Sequence, residues 1–368
     1  MAGKHSASRS EGRERIPRKE KIVKNNRPPK KPKKAKALKV IGIILLILII
    51  IIAGIGIGGY SYIVSKLDKM QQVQINIDEL NVNEEIKGYR NIALFGVDSR
   101  DSNLGKGNRS DCIIIASINE KTKDVRLLSV YRDTYVQIEG HGLDKITHAY
   151  SYGEAPLAIK TLNTNLDLNI TEFVTVNFDL VAEAVDALGG VEITIETSEL
   201  EYINDYIKGT SENTGIKSSN ITKAGKQTLD GVQAVAYSRI RYTAGGDYKR
   251  TERMRDVIEA MLKKLKTKSV GEINNLMDKI LPKVYTNITP SSIIAMVPNL
   301  LSYNVTESIG WPYKTQGITL DRWYGVPVTL ESNVKQLHKE LFDEENYEIP
   351  QDIKEISNKI INKTGYKQ

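Results

Sequence analysis

The sequence predicts an α/β domain of the α+β kind, a mixed central sheet covered by helices, placed after an N-terminal transmembrane helix. Three observations predict it. Short apolar runs rich in β-branched residues alternate with segments of helical spacing beyond residue 88. Residues 40–65 contain no charge at all. The basic excess of the chain is confined to the segment in front of that run.

Residues 1–39 hold 15 of the 52 lysines and arginines and 3 of the 45 acidic residues. With Pro28, Pro29 and Pro32 they are expected to be a disordered tail. The next 26 residues, 40–65, would reach roughly 39 Å as a helix, enough to cross a bilayer. A cleaved signal peptide would have a far shorter basic region and a shorter apolar core. Positive charge before the span and acidic residues after it place the tail in the cytoplasm and everything from residue 66 outside, in the cell membrane. The tail then meets the anionic headgroups of the cytoplasmic membrane lipids.

Residues 66–87 are polar and without a strong period, and are expected to form an extracytoplasmic stalk. The folded domain is expected over 88–342. Its first strands are NIALFGV, CIIIASI and VRLLSVY, the last two joined by the turn-like NEKTKD. Helical spacing follows at 155–166, then a strand at FVTVNF, a helix over 180–188 stopped by Gly189 and Gly190, and a strand at VEITI. A helix over 229–237, a strand at YSRIRY and a long helix over 250–266 come next. Residues 273–341 keep apolar periodicity and are expected to pack on the same core. Residues 343–368 are polar and are expected to be a frayed helical tail.

Beyond the tail the chain carries 37 basic and 42 acidic residues, so its folded part is mildly acidic and no uniformly basic nucleic-acid surface is implied. No helix-turn-helix pattern is present, and nucleic acid is not an expected partner. The single cysteine, Cys112, excludes an internal disulfide and a cysteine-based zinc site. Opening an apolar strand, it is read as a small buried hydrophobe. The four histidines have no metal-ligand spacing.

Two constellations carry chemistry. If CIIIASI and VRLLSVY form an antiparallel hairpin with Ile118 opposite Val125, Asp111 falls opposite Arg132. Asp98 leaves the preceding strand at the same sheet end, and the loop DSRDSNLGKGNRSD returns through Arg109. Two carboxylates among arginines suit a divalent cation and a phosphorylated ligand. The same residues also suit an ordinary polar turn. The second constellation, YSRIRYTAGGDYKRTERMRD, places Arg239 and Arg241 on one face of a strand and Arg250 and Arg253 on one face of a helix. Five arginines and one lysine against Asp247 and Glu252 invert the acidic background, and arginine forks match phosphate oxygens.

The ordered series NIALFGVDSR, RSDCIII, LLSVYRDTYV, VNFDLVAEAVDALGGVEI, LDGVQAVAYSRIRY and GGDYKRTERMRDVI closely resembles the LytR-CpsA-Psr family over about residues 88–265, and more loosely to about 340. The resemblance implies a phosphotransferase that moves an anionic glycopolymer, such as wall teichoic acid or capsule, from a polyprenyl diphosphate carrier to peptidoglycan. Polyprenyl phosphate would be released. It implies that Asp98 and Asp111 hold Mg²⁺, with Mn²⁺ as a substitute, and that Asp98, Asp111 and Arg132 are catalytic. It further implies that Arg109, Arg132, Arg239, Arg241, Asp247, Arg250 and Arg253 hold the diphosphate or support the residues that do. Many members have Gln where this chain has Met254, which removes one polar contact. The competing functions are a polyprenyl diphosphate hydrolase and a membrane-bound regulator of cell-wall genes.

Overall fold

The computed structural model describes residues 62–99, 104–265, 267–296, 299 and 302–367. The basic tail and most of the predicted span, residues 1–61, lie outside them. Among the described residues no helix is long and apolar enough to cross a membrane.

The chain enters through a short helix, α1 (residues 62–67), and a two-residue strand, β1 (Gln71–Gln72). Next come β2 (Tyr89–Val97), β3 (Ser110–Asn119), β4 (Asp124–Val130), and the small hairpin β5 (Tyr135–Ile138) and β6 (Gly142–Lys145). Helix α2 (Ile146–Leu166), broken at Gly153 and Glu154, leads to β7 (Glu172–Asn177) and α3 (Phe178–Ala187). The layer beyond holds β8 (Val191–Ile195), α4 (Thr197–Thr214), β9 (Gly225–Leu229), α5 (Gly231–Arg239), α6 (Gly246–Leu265) and α7 (Val270–Ile280). The remainder is β10 (Tyr285–Thr286), α8 (Pro290–Met296), β11 (Asn304–Trp311), the hairpin β12 (Thr315–Thr319) and β13 (Trp323–Pro327), α9 (Leu330–Phe342) and α10 (Gln351–Thr364).

The central sheet has the order β1-β10-β7-β2-β3-β4-β11. It is mixed, with β2–β3 and β3–β4 antiparallel and β2–β7 and β4–β11 parallel. Strands this apolar must be covered on both faces. Leu94, Ile114, Val176 and Leu127 face one core, built with α3, α5, α6 and α7. Phe95, Ile113, Ile115 and Leu128 face a second core, built with α2, α9 and α10. Alternate residues of one strand thus feed opposite layers.

Three expectations are corrected. Residues 66–87 do not form a stalk standing clear of the domain. Leu67 and Met70 are buried, Lys66 Nζ bonds Asp278 Oδ2 of α7 at 2.6 Å, and β1 adds to the edge of the sheet beside β10. YSRIRY is not a strand. Asp230 caps α5 by accepting from Gln233 N, while the Gln233 side chain returns to the Asp230 N–H, and the helix so nucleated runs through Arg239. Finally, the polar C-terminus is not frayed. Its polarity is one face of an amphipathic helix, α10, whose other face buries Ile353, Ile356 and Ile360 in the second core. Tyr347 ties the approach to it, donating to Asp167 Oδ2 at 2.6 Å and stacking on His338 at 3.7 Å.

Burying an isoleucine is worth about 1.5–3 kcal/mol, so deleting residues 344–368 is expected to cost roughly 5 kcal/mol and broaden or abolish cooperative unfolding. Urea denaturation followed by circular dichroism checks this; an unchanged midpoint would restore the frayed-tail reading.

Candidate active site

The hairpin register is the predicted one, with Ile118 opposite Val125 and Ile114 opposite Ser129. The ladder stops there, yet the side chains complete the series: Arg132 Nη1 donates to Asp111 Oδ1. On the other side of β3 the pairing with β2 slips, Gly96 opposing Cys112 and Val97 opposing Ser110. Asp111 is therefore the residue that a β-bulge leaves unpaired, a device that re-aims a side chain at the end of a sheet. Gly96 is required beside it, since a Cβ there would meet Cys112 Cβ at 2.9 Å.

Helix α2 clamps this end. Thr147, wholly buried, donates its backbone N–H to Arg132 O at 3.1 Å and its hydroxyl to Ser110 O at 2.9 Å. Arg132 is further oriented by Asp133, which Lys145 holds at 2.6 Å. Burial would raise the Asp133 carboxyl, but the Lys145 hydrogen bond and the charges of Arg132, Lys145 and Arg250 outweigh it and hold the group below its ordinary value.

A cleft of about 510 Å³ opens here, lined by Asp98, Arg109, Asp111, Arg132, Arg239, Arg241 and Arg250 together with Phe178, Tyr206, Tyr242 and Met254. Both constellations read from the sequence thus meet in one place. Asp111 joins them. Arg241 Nη2 lies 3.7 Å from its Oδ2, and Arg250 Nη2 donates to its backbone carbonyl at 3.4 Å. Arg239, at the last turn of α5, spreads over the Phe178 ring at 5.6 Å.

Arg253 does not join them. It is wholly buried, donating from Nε to Glu199 Oε1 at 2.7 Å, from Nη1 to Ile240 O at 3.0 Å and from Nη2 to the Thr243 hydroxyl. It braces the segment that carries Arg241 and does not itself line the cleft. Arg239 closes α5 and Arg241 lies in the loop beyond it, so the strand face expected for YSRIRY does not form. Asp247 opens α6, and its side chain lies outside the described part of the structure. The sequence reading missed Thr147, Glu199, Tyr206 and Phe178; a Glu buried to 1% exposure has no local sequence signature.

Two carboxylates line the cleft. Asp98 is exposed at the cleft and Asp111 faces the same space. Asp179, at the start of α3, is raised by burial and then by the like charges of Glu183 and Asp98, so negative charge collects here. Among the described residues no group of three or more His, Cys, Asp or Glu could hold a metal. Two carboxylates, with phosphate oxygens and water for the rest, is the manner in which Mg²⁺ is commonly held.

Behind the cleft, sharing Phe178 and Met254 with it, lies a narrow apolar pocket between sheet and α6, lined by Leu94, Ile114, Val176, Val257 and Met261. Cys112 also faces it, and burial pushes its thiol up to about 12, which keeps it protonated and inert.

A polar cleft lined by guanidiniums and flanked by an apolar pocket is suited to an amphiphile with an anionic head. The LytR_cpsA_psr family profile matches residues 58–341. The chain belongs to the LytR-CpsA-Psr family. Over 275 residues it is 30% identical to TagT of Bacillus subtilis, a polyisoprenyl-teichoic acid–peptidoglycan teichoic acid transferase, spanning 71% of this chain and 82% of that one. TagU of Enterococcus faecalis, with the same named activity, is 33% identical over 242 residues, 64% of this chain and 75% of its own. A solved structure of TagT with bound octaprenyl pyrophosphate lipid superposes with a TM-score of 0.51 at 25% identity, covering 74% of this chain and 92% of that one. As in the sequence reading, this LytR-CpsA-Psr chain has a mixed sheet between helical layers.

Removing Arg253 would leave Glu199 in the interior without its ion-pair partner, so Arg253→Ala is expected to cost about 3–5 kcal/mol of stability. Arg241→Ala, at the cleft surface, is expected to leave stability within about 0.5 kcal/mol of wild type. Paired urea titrations check this; equal losses would deny Arg253 its bracing role.

Proposed function

We propose that this chain is a membrane-anchored extracytoplasmic phosphotransferase that moves an anionic glycopolymer from a polyprenyl diphosphate carrier to peptidoglycan. The observation that carries the reading is the arginine cleft, whose wall residues Phe178 and Met254 also line the apolar pocket beside it. The diphosphate sits among Arg132, Arg239, Arg241 and Arg250, whose forks pair its oxygens, and the prenyl chain enters between α6 and the sheet. The named activities of TagT and TagU support the same substrates.

In the transfer, a hydroxyl oxygen of peptidoglycan attacks the phosphorus that bears the glycopolymer. The bond from that phosphorus to the bridging oxygen breaks, polyprenyl phosphate leaves, and the hydroxyl proton passes to a carboxylate of the cleft. The converging guanidiniums are prepaid charge for the oxygens of the transition state. Arg132, fixed by Asp111, Asp133 and Thr147, needs no rearrangement to act. Asp98 and Asp111 are proposed to hold Mg²⁺, or Mn²⁺ in its place, which when bound would withdraw charge from the diphosphate. The uncharged run at 40–65 is proposed to anchor the chain with its N-terminus in the cytoplasm and this domain outside.

The double variant Arg239→Ala/Arg241→Ala is expected to lose roughly a hundredfold or more in polyprenyl diphosphate retention, each charge-assisted contact being worth about 1.5–3 kcal/mol. Asp98→Ala is expected to stop transfer of a lipid-linked sugar to a peptidoglycan oligomer while lipid retention largely persists. The check is lipid extraction with mass spectrometry beside a transfer assay with and without EDTA. Transfer indifferent to EDTA would remove the metal, and product formed equally without a glycan acceptor would make the chain a hydrolase.

Protease added to intact protoplasts is expected to degrade residues 66–368 and spare the tail. A domain protected until lysis would overturn the topology.

A further inference from the structure

The hairpin β12–β13 presents an unusual surface. Its inner face buries Tyr324 and Val326 in the second core, while Trp323 on the outer face is 50% exposed. The strands pair Gly317 with Gly325, on the same face as Trp323. The indole lies across them: a Cβ on Gly317 would meet Trp323 Nε1 at 2.8 Å, and one on Gly325 would meet its Cη2 at 3.5 Å. The two glycines make a flat bed that holds one face of the ring and leaves the other to solvent. Around it stand polar groups that can exchange hydrogen bonds. Asp321 accepts from the Tyr324 hydroxyl at 2.6 Å and pairs with Arg322 at 2.8 Å, and both charged residues are exposed.

We propose that Trp323, on its glycine bed, is the stacking platform for the glycan backbone of the acceptor peptidoglycan, a reading that rests on the function proposed above. Sugar rings carry a face of weakly positive C–H groups that sits on the negative face of an aromatic ring, and hydroxyls at the rim that bond carboxylate and guanidinium. Position selects the acceptor rather than the donor. In-line transfer at phosphorus requires attacking and leaving oxygens on opposite sides. The slot for the leaving prenyl phosphate lies in the layer of α3 and α6, and the hairpin packs on the opposite face of the sheet. The hairpin is also joined to the cleft wall, for Gly325 N donates to Asp133 O at 3.0 Å and Thr134 bridges Gly325. Asp133 follows cleft-lining Arg132 directly, and Trp323 is two residues from Gly325, about 7 Å along the strand. That is a span of a few sugar units at most.

The chain has two tryptophans, and the other, Trp311, is wholly buried, so exposed-indole fluorescence reports Trp323 alone. The probe is a tetrasaccharide muropeptide, from peptidoglycan stripped of anionic polymer, added to the full-length protein in detergent. Expected is protection of the indole from acrylamide quenching, a loss of affinity of about tenfold in Trp323→Ala, and near-normal affinity in Trp323→Phe. Polyprenyl phosphate retention by Trp323→Ala is expected to equal wild type. Quenching unchanged at saturating oligosaccharide, or equal affinity in Trp323→Ala, would overturn the platform. So would protection by anionic phospholipid vesicles in place of sugar, which would assign the face to the bilayer, and so would lipid retention falling in step with glycan affinity. Arg239→Ala/Arg241→Ala is expected to keep the sugar-dependent protection, so failure of the diphosphate site and failure of the platform read out separately.

Discussion

The site depends on one carboxylate in one bulge. Asp111 is left out of the β2–β3 ladder, so its side chain is free of the sheet's alternation and swings to the strand end. There it accepts from Arg132, stands near Arg241, and offers its backbone carbonyl to Arg250. Several guanidiniums in one small space repel one another, and without an acid among them the cluster would splay into solvent. Asp111 gives them a shared counter-charge at low exposure, where screening is weak. The positive field that remains is what a diphosphate meets.

Convergence also needs a rigid frame, and the frame is built from buried polar contacts that never reach the ligand. Arg253 and Glu199 are each about 1% exposed in their side chains, and their pairing ties α6 to α4 beneath the segment bearing Arg241. Thr147 satisfies two backbone carbonyls at once, that of Ser110 beside Asp111 on β3 and that of Arg132 in the turn after β4. Buried ionic and polar groups of this kind contribute little net stability over an apolar substitute. Their effect here is geometric: each misplacement would leave a charge or carbonyl unpaired, so the chain has few alternatives at the cleft.

Legibility followed the range of the interaction. The register of β3 and β4 was readable because a short turn and two apolar runs fix it, and the Asp111–Arg132 contact follows from counting. The mixed sheet was readable from the alternation of elements. Arg239 and Arg241 were assigned to the right cleft on the wrong element, since a two-residue alternation looks the same whether a strand or a helix end carries it, and the capping pair Asp230 and Gln233 decided the matter. Arg253 braces the segment of Arg241 and does not line the cleft, a distinction the sequence does not carry because its partner Glu199 lies 54 residues away and nothing local marks a buried acid. The tail and the supposed stalk were misread for a common reason: each buries only one face, and a sequence two-thirds polar reads as solvated until the surface it docks on is known.

Met254 shows how head and tail recognition meet. It lines both the arginine cleft and the apolar slot and is itself buried. At this point the wall changes character, from guanidiniums that suit oxygens to an apolar lining that suits hydrocarbon. A glutamine amide here would serve the head but would present polar atoms to the first prenyl unit, whereas a thioether packs against hydrocarbon and is soft enough to adapt to it. Met254 therefore extends the apolar lining by one side chain toward the arginines.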